Sequence, residues 1–97
     1  MKSLKEAIED QRRARSQLHR NRLRSALNAD EDGEELKIET EETKEGIVIK
    51  FKGKEFMVMV RDDGLFMRKE PGDGYQLTPL HEILTAIAIW YLDLEAA

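Results

Sequence analysis

The sequence predicts an α+β fold: an N-terminal helix, a four-stranded antiparallel meander and an apolar C-terminal helix packed on the sheet. Three observations predict it. Residues 3–28 contain neither Gly nor Pro and are rich in strong helix formers. From Leu36 the apolar period changes to two, with turn residues between successive runs. Finally, Glu82 and Asp93 bracket ten consecutive uncharged residues whose apolar members recur at helical spacing.

The first helix opens on Ser3 with Glu6 three residues later, the pattern of a capping box. Its apolar stripe is thin: Leu4, Ile8, Ala14, Leu18, Leu23 and Leu27. Arg12, Arg13, Arg15, Arg20, Arg22 and Arg24 fall all around the helix wheel, so no face of the second half is cleanly dry. Two readings stay open. One is a solvated helix that touches the body at a few leucines. The other is an arm, residues 1–29, that orders on an acidic partner or on phosphates.

Residues 30–35 read as an acidic linker, placed to pair with those arginines. Asn28, Asp30, Asp32, Gly33 and Glu39 share the spacing of a calcium loop. Asn28 stands where aspartate is usual, Glu35 where an apolar residue is wanted, and a strand follows. An ordinary linker is therefore the favoured reading, and no metal or cofactor is expected.

Residues 36–97 form the β-meander and helix domain. Leu36, Ile38 and Thr40 alternate with charges in a first strand that ends in an acidic turn, Glu41–Gly46. Ile47, Ile49 and Phe51 mark a second strand, and Gly53-Lys54 its hairpin. Phe56, Val58 and Val60 mark a third strand, closed by Asp62-Asp63-Gly64, where Gly supplies a positive φ. Leu65–Lys69 is the fourth. After the loop Pro71–Gly74, residues 75–77 lead into the last helix, with Thr78 as N-cap and Pro79 at its first position. Leu80, Ile83, Leu84, Ile87, Tyr91 and Leu94 make one apolar helix face; Ala88, Ile89 and Leu92 make a second, nearly opposite one.

Short loops make the meander antiparallel. One sheet face collects Ile47, Ile49, Phe51, Phe56, Val58 and Val60, and the last helix should lie on it. The other carries Lys50, Lys52, Met57 and Met59, so the third strand is apolar on both sides. Something should cover Met57 and Met59: the first helix, a second copy or a ligand.

Charge is 37% of residues, against a usual share of about 25%, and it is unevenly spread. Residues 1–29 hold eight basic against three acidic side chains, net +5; residues 30–45 net −7; residues 46–97 net −2. The overall −4 argues against a uniformly basic nucleic-acid binder. With no cysteine, disulfides, thiolate zinc sites and cysteine nucleophiles are excluded. No apolar leader follows Met1, and the C-terminal apolar run is shorter than the roughly 20 residues a bilayer needs, so a soluble, cytoplasmic chain is expected. His19 and His81 have no partner set for catalysis or metal binding. Ser3, Ser16 and Ser25 lack a nucleophile's context, so no enzymatic activity is expected.

Two sets of basic residues are candidate phosphate contacts: Lys50, Lys52, Lys54, Arg61, Arg68 and Lys69 on the meander, and Arg12, Arg13, Arg20, Arg22 and Arg24 on the first helix. With Phe66 or Tyr75 nearby, the first set suits a groove that tracks a backbone while rings stack bases. Ile89, Trp90 and Leu92 are candidate interface anchors, and a homodimer is expected from the two apolar helix faces.

The run Phe51-Lys52-Gly53-Lys54-Glu55-Phe56, then Val60-Arg61-Asp62, then Pro71–Pro79 with its Leu77-Thr78-Pro79 helix entry resembles the positive-cofactor-four type of transcriptional coactivator domain. The resemblance covers roughly residues 47–85. It implies a four-stranded sheet plus helix, dimerisation, and single-stranded DNA binding by the sheet in transcription, replication or repair. Lys52, Lys54, Arg61 and Lys69 would be the matching positions. The alternative is a non-enzymatic adaptor, inhibitor or regulatory subunit that docks an acidic or apolar partner through the Arg-rich helix or the last helix.

Overall fold

The computed structural model describes residues 2–28, 37–70 and 72–97. The linker 30–35 and most of the calcium-loop pattern therefore lie outside the described residues. The elements are α1 (Leu4–Leu27), β1 (Glu39–Glu42), β2 (Gly46–Phe51), β3 (Lys54–Arg61), β4 (Gly64–Met67), β5 (Gln76–Leu77) and α2 (Leu80–Ala96). The sheet is an antiparallel meander in the order β1-β2-β3-β4-β5. It has five strands rather than the expected four. The lead-in to the last helix pairs with β4, Leu77 opposite Phe66, but at two residues it is too short to show an alternation in sequence.

Local chemistry accounts for most boundaries. Ser3 caps α1, its side chain accepting from the Glu6 amide at 3.2 Å. The β2–β3 hairpin turns on Lys52 (φ 50°) and Gly53 (φ 76°), one residue earlier than expected. Two successive positive φ values suit the twist of a two-residue hairpin. In the β3–β4 turn Gly64 takes the positive φ, 144°. The first strand lies later than expected, because Glu39–Glu42 pairs with Lys50–Ile47. Thr78 is not the cap of α2: Pro79 holds that position, and the Thr78 hydroxyl donates instead to the Gln76 carbonyl at 2.8 Å.

Cross-strand partners share a face, so the register sorts the sheet into two sides. Ile47, Ile49, Phe51, Phe56, Val58, Val60, Leu65 and Met67 lie on one side, as the alternation implies. Both helices pack there: Leu23 and Leu27 of α1 and Ile83 and Ile87 of α2 join one buried cluster with Ile47, Ile49, Val58 and Val60. Leu23, Ile49, Val58 and Ile83 are fully buried. The molecule is correspondingly shallow, 21 Å along its shortest axis, which suits one sheet and one helix layer.

The two helices run differently over that side. α1 crosses the strands at one end, from Arg12 beside Asp62 in the β3–β4 turn to Arg24 beside Glu42 on β1. α2 starts next to β4, where the Thr78 amide donates to Leu65 at 2.9 Å. It ends over the opposite hairpin, where the Lys52 ammonium donates to the Leu94 carbonyl at 3.1 Å. Among the described residues no helix is long and apolar enough to cross a membrane.

Candidate functional site

With both helices on one side, the other side of the sheet is bare among the described residues. Two rows of cross-strand partners cross it: Glu41–Val48–Met57, and Met59–Phe66–Leu77. Val48, Met57, Met59 and Phe66 are half-buried by their sheet neighbours alone, and Leu77 is 60% exposed. The first helix does not cover Met57 and Met59, although the sequence left that open. Its leucines favour the opposite side, where Arg20 and Arg24 also find their partners.

The bare face has charged borders of opposite sign. Glu39 and Glu41 line its β1 edge. Lys50 reaches Glu41 at 2.7 Å, and this pairing holds the Glu41 carboxyl below and the Lys50 ammonium above their ordinary ranges. Towards the far border Arg68 stacks over Tyr75 at 5.2 Å, and at the end of the central strand β3 the Arg61 guanidinium stacks over the Phe66 ring at 5.4 Å.

The other sequence-derived candidates are scattered. Lys52 sits in the β2–β3 turn, bound to Leu94 and lying over the Phe51 ring. Lys54 and Lys69 are exposed. Arg12 and Arg13 lie 3.9 Å from Asp62 and Asp10 respectively. Arg20 donates to the Gly46 carbonyl at 2.9 Å and lies 3.6 Å from Glu42. Arg24 forks onto Glu42, donating from Nε at 3.1 Å and also from Nη2. That hydrogen bond holds the Glu42 carboxyl below its ordinary range and the Arg24 guanidinium above its own. Arg20 and Arg24 fasten α1 to β1 and β2. The structure thus brings Lys50, Arg61 and Arg68 onto one face and leaves the rest elsewhere.

Of the expected interface anchors, Ile89 and Leu92 are 57% and 59% exposed on the outside of α2. Trp90 is half-buried within its own chain, edge-on to Phe51 at 6.4 Å and to Phe56 at 5.7 Å, while Tyr91 stacks on Phe51 at 4.4 Å. Sequence reasoning missed Val48, Phe66 and Leu77 as members of the bare face. Val48 was legible, since it alternates with Ile47 and Ile49 and must point the other way.

A second concavity, an open trough of about 690 Å³, runs between α1 and the start of α2. Leu65, Leu80 and Leu84 line it, with His19, Arg22 and His81 also on its walls, and Leu77, on the edge strand β5, borders both this trough and the bare face. Among the described residues no group of His, Asp or Glu is placed to hold a metal ion.

Compared with known proteins, the chain matches no family model, no curated protein and no solved structure.

Proposed function

We propose that this chain is a non-enzymatic protein-interaction module that docks through the bare face of its sheet, acting in the cytoplasm as an adaptor, inhibitor or regulatory subunit. One observation carries the reading: both helices share one side, which leaves Val48, Met57, Met59, Phe66 and Leu77 uncovered among the described residues. An antiparallel sheet with a solvated face places polar residues there. This face instead has the makeup of an interface centre, with Met and Phe at its middle and charged residues confined to its rim.

A second reading, single-stranded nucleic-acid binding in transcription, replication or repair, is favoured by the Arg61–Phe66 and Arg68–Tyr75 stacks. It also agrees with the family resemblance over residues 47–85. It ranks behind the first because the face balances Glu39, Glu41 and Glu55 against Lys50, Arg61 and Arg68. A phosphate backbone would meet no net attraction there.

Capture by the tagged full chain from nuclease-treated lysate, wild type against Met59→Lys, tests the reading. A stoichiometric protein companion, a second copy of the chain included, should be retained by wild type and lost by the variant. If nuclease removes every companion, and single-stranded DNA binding falls steeply with salt and weakens in Arg61→Glu, the second reading replaces the first.

A further inference from the structure

Resting on the docking reading above, we infer that the partner at the bare sheet face is a second copy of this chain, stacked sheet to sheet about a two-fold axis that runs parallel to the strands. The face is its own complement. Its acids, Glu39 and Glu41, lie on the β1 border, and Arg68, stacked on Tyr75, lies towards β4 and β5; Glu55 and Arg61 sit at the two ends of the central strand β3. Rotation about an axis along β3 turns one sheet over and carries Glu41 of each copy towards Arg68 of the other. The middle of the face then meets itself, Met57 and Met59 on one copy against the same residues on the other. Phe66 comes over the Val48 strand. A partner of uniform charge would face repulsion on one border, whereas an identical copy sets Glu41 against Arg68 on both and confines like-charge approach to the exposed ends of β3, Glu55 and Arg61.

The geometry is that of aligned sheet packing, with inner faces about 10 Å apart and strand directions within roughly 30°. It places α1 and α2 of each copy on the outside of a four-layer assembly. Five strands at about 4.8 Å spacing and roughly 20 Å of strand length give a footprint near 400 Å² per copy. About 800–1,000 Å² in total falls below the roughly 1,200–2,000 Å² of stable specific interfaces and among weak, transient ones, so the dimer should be reversible, with a dissociation constant of micromolar order or weaker.

The test uses the full chain in sedimentation equilibrium from about 1 to about 300 µM, a range that brackets that constant. Wild type should pass from one-chain to two-chain mass. Met57→Lys and Met57→Glu should each stay at one chain throughout. An equal mixture of the two should regain the two-chain mass, because opposite charges then meet beside the axis. Circular dichroism melts check that both variants fold; position 57 contributes nothing to the buried core. Arg68→Glu, at an exposed site, should independently weaken dimerisation at least tenfold, and adding Glu41→Lys should restore it. A wild type of one-chain mass at every concentration overturns the proposal. So does dimerisation that ignores Met57 and Arg68, which would place the contact at Ile89 and Leu92 instead. If wild type is a single chain yet loses a distinct companion on Met59→Lys, the self-pairing falls and the docking reading stands. If neither changes, both fall.

Discussion

Replacing the leucines of α1 one at a time tests whether this helix belongs to the body or hangs from it. Leu4, Leu18, Leu23 and Leu27 offer the same chemistry on one helix, at exposures of 77%, 56%, 0% and 9%. Removing a fully buried leucine side chain forfeits its transfer free energy and leaves a cavity, about 2–5 kcal/mol in all. Leu23 sits against the central strands in the main cluster, where two helices limit collapse, so Leu23→Ala should cost about 3 kcal/mol, and Leu27→Ala about 2 kcal/mol. At Leu4 and Leu18 little area is lost and alanine is the better helix former, so the change should stay within about 0.5 kcal/mol. With a urea slope of roughly 1–1.5 kcal/mol per molar for a chain this small, Leu23→Ala should lower the unfolding midpoint by about 2 M or more. Circular dichroism at the helix minimum reads it. Equal midpoints for Leu23→Ala and Leu18→Ala would mean α1 is a tethered arm, and the account of a shared helix layer would fail.

Two glycines should respond for different reasons, both visible in the same urea titration. An added Cβ at Gly46 would lie 2.0 Å from the Val58 carbonyl oxygen, a backbone atom that cannot step aside, so Gly46→Ala should cost more than about 2 kcal/mol and disturb the β2–β3 pairing. At Gly53 nothing lies within 4 Å and only the φ of 76° matters, so Gly53→Ala should cost about 1 kcal/mol. Equal penalties would refute the distinction. The Arg24 hydrogen bond holds the Glu42 carboxyl below its ordinary value of 4.5, and Lys50 acts likewise on Glu41. A carboxyl depressed in the folded state protonates first in the unfolded chain, so this stability is whole above about pH 4.5 and is lost as the pH falls through the folded value. The gap in urea midpoint between wild type and Glu42→Gln should therefore narrow from pH 7 to pH 3; a gap independent of pH would refute the pairing.

The helix-side face of the sheet was readable because its apolar residues alternate from Ile47 to Phe51 and again from Phe56 to Val60, and a one-residue slip would turn them all outward. Ser3 announced its own helix start. Less readable was anything that depends on pairing across the chain. Glu39–Glu42 has weak intrinsic strand preference and forms β1 only because β2 offers its edge. The thin stripe of α1 showed that few leucines are buried but not which, since Leu18 and Leu23 are alike until Arg20 and Arg24 find Gly46 and Glu42. The basic residues were visible as a type. Their division between fastening α1 and flanking the bare face was not, because the partner acids come from β1, far off in sequence.

That division follows from β1 itself. Its side chains alternate, so Glu42, opposite Ile47, faces the helix layer and receives Arg20 and Arg24, whereas Glu41, opposite Val48, faces the other way and receives Lys50. Adjacent glutamates on one edge strand thus serve two layers. Glu42 draws α1 onto the side that α2 already occupies. Glu41 and Glu39 remain to give the uncovered side its acidic border, which also blunts a strand edge against stray pairing. If α1 had found its acids on the Glu41 side, it would have roofed Met57 and Met59 and left no face to dock. The buried Leu23 and Leu27 hold the first helix on that side, and the position of one carboxylate in an alternating strand gives its arginines their anchor there, leaving the other surface open to a partner.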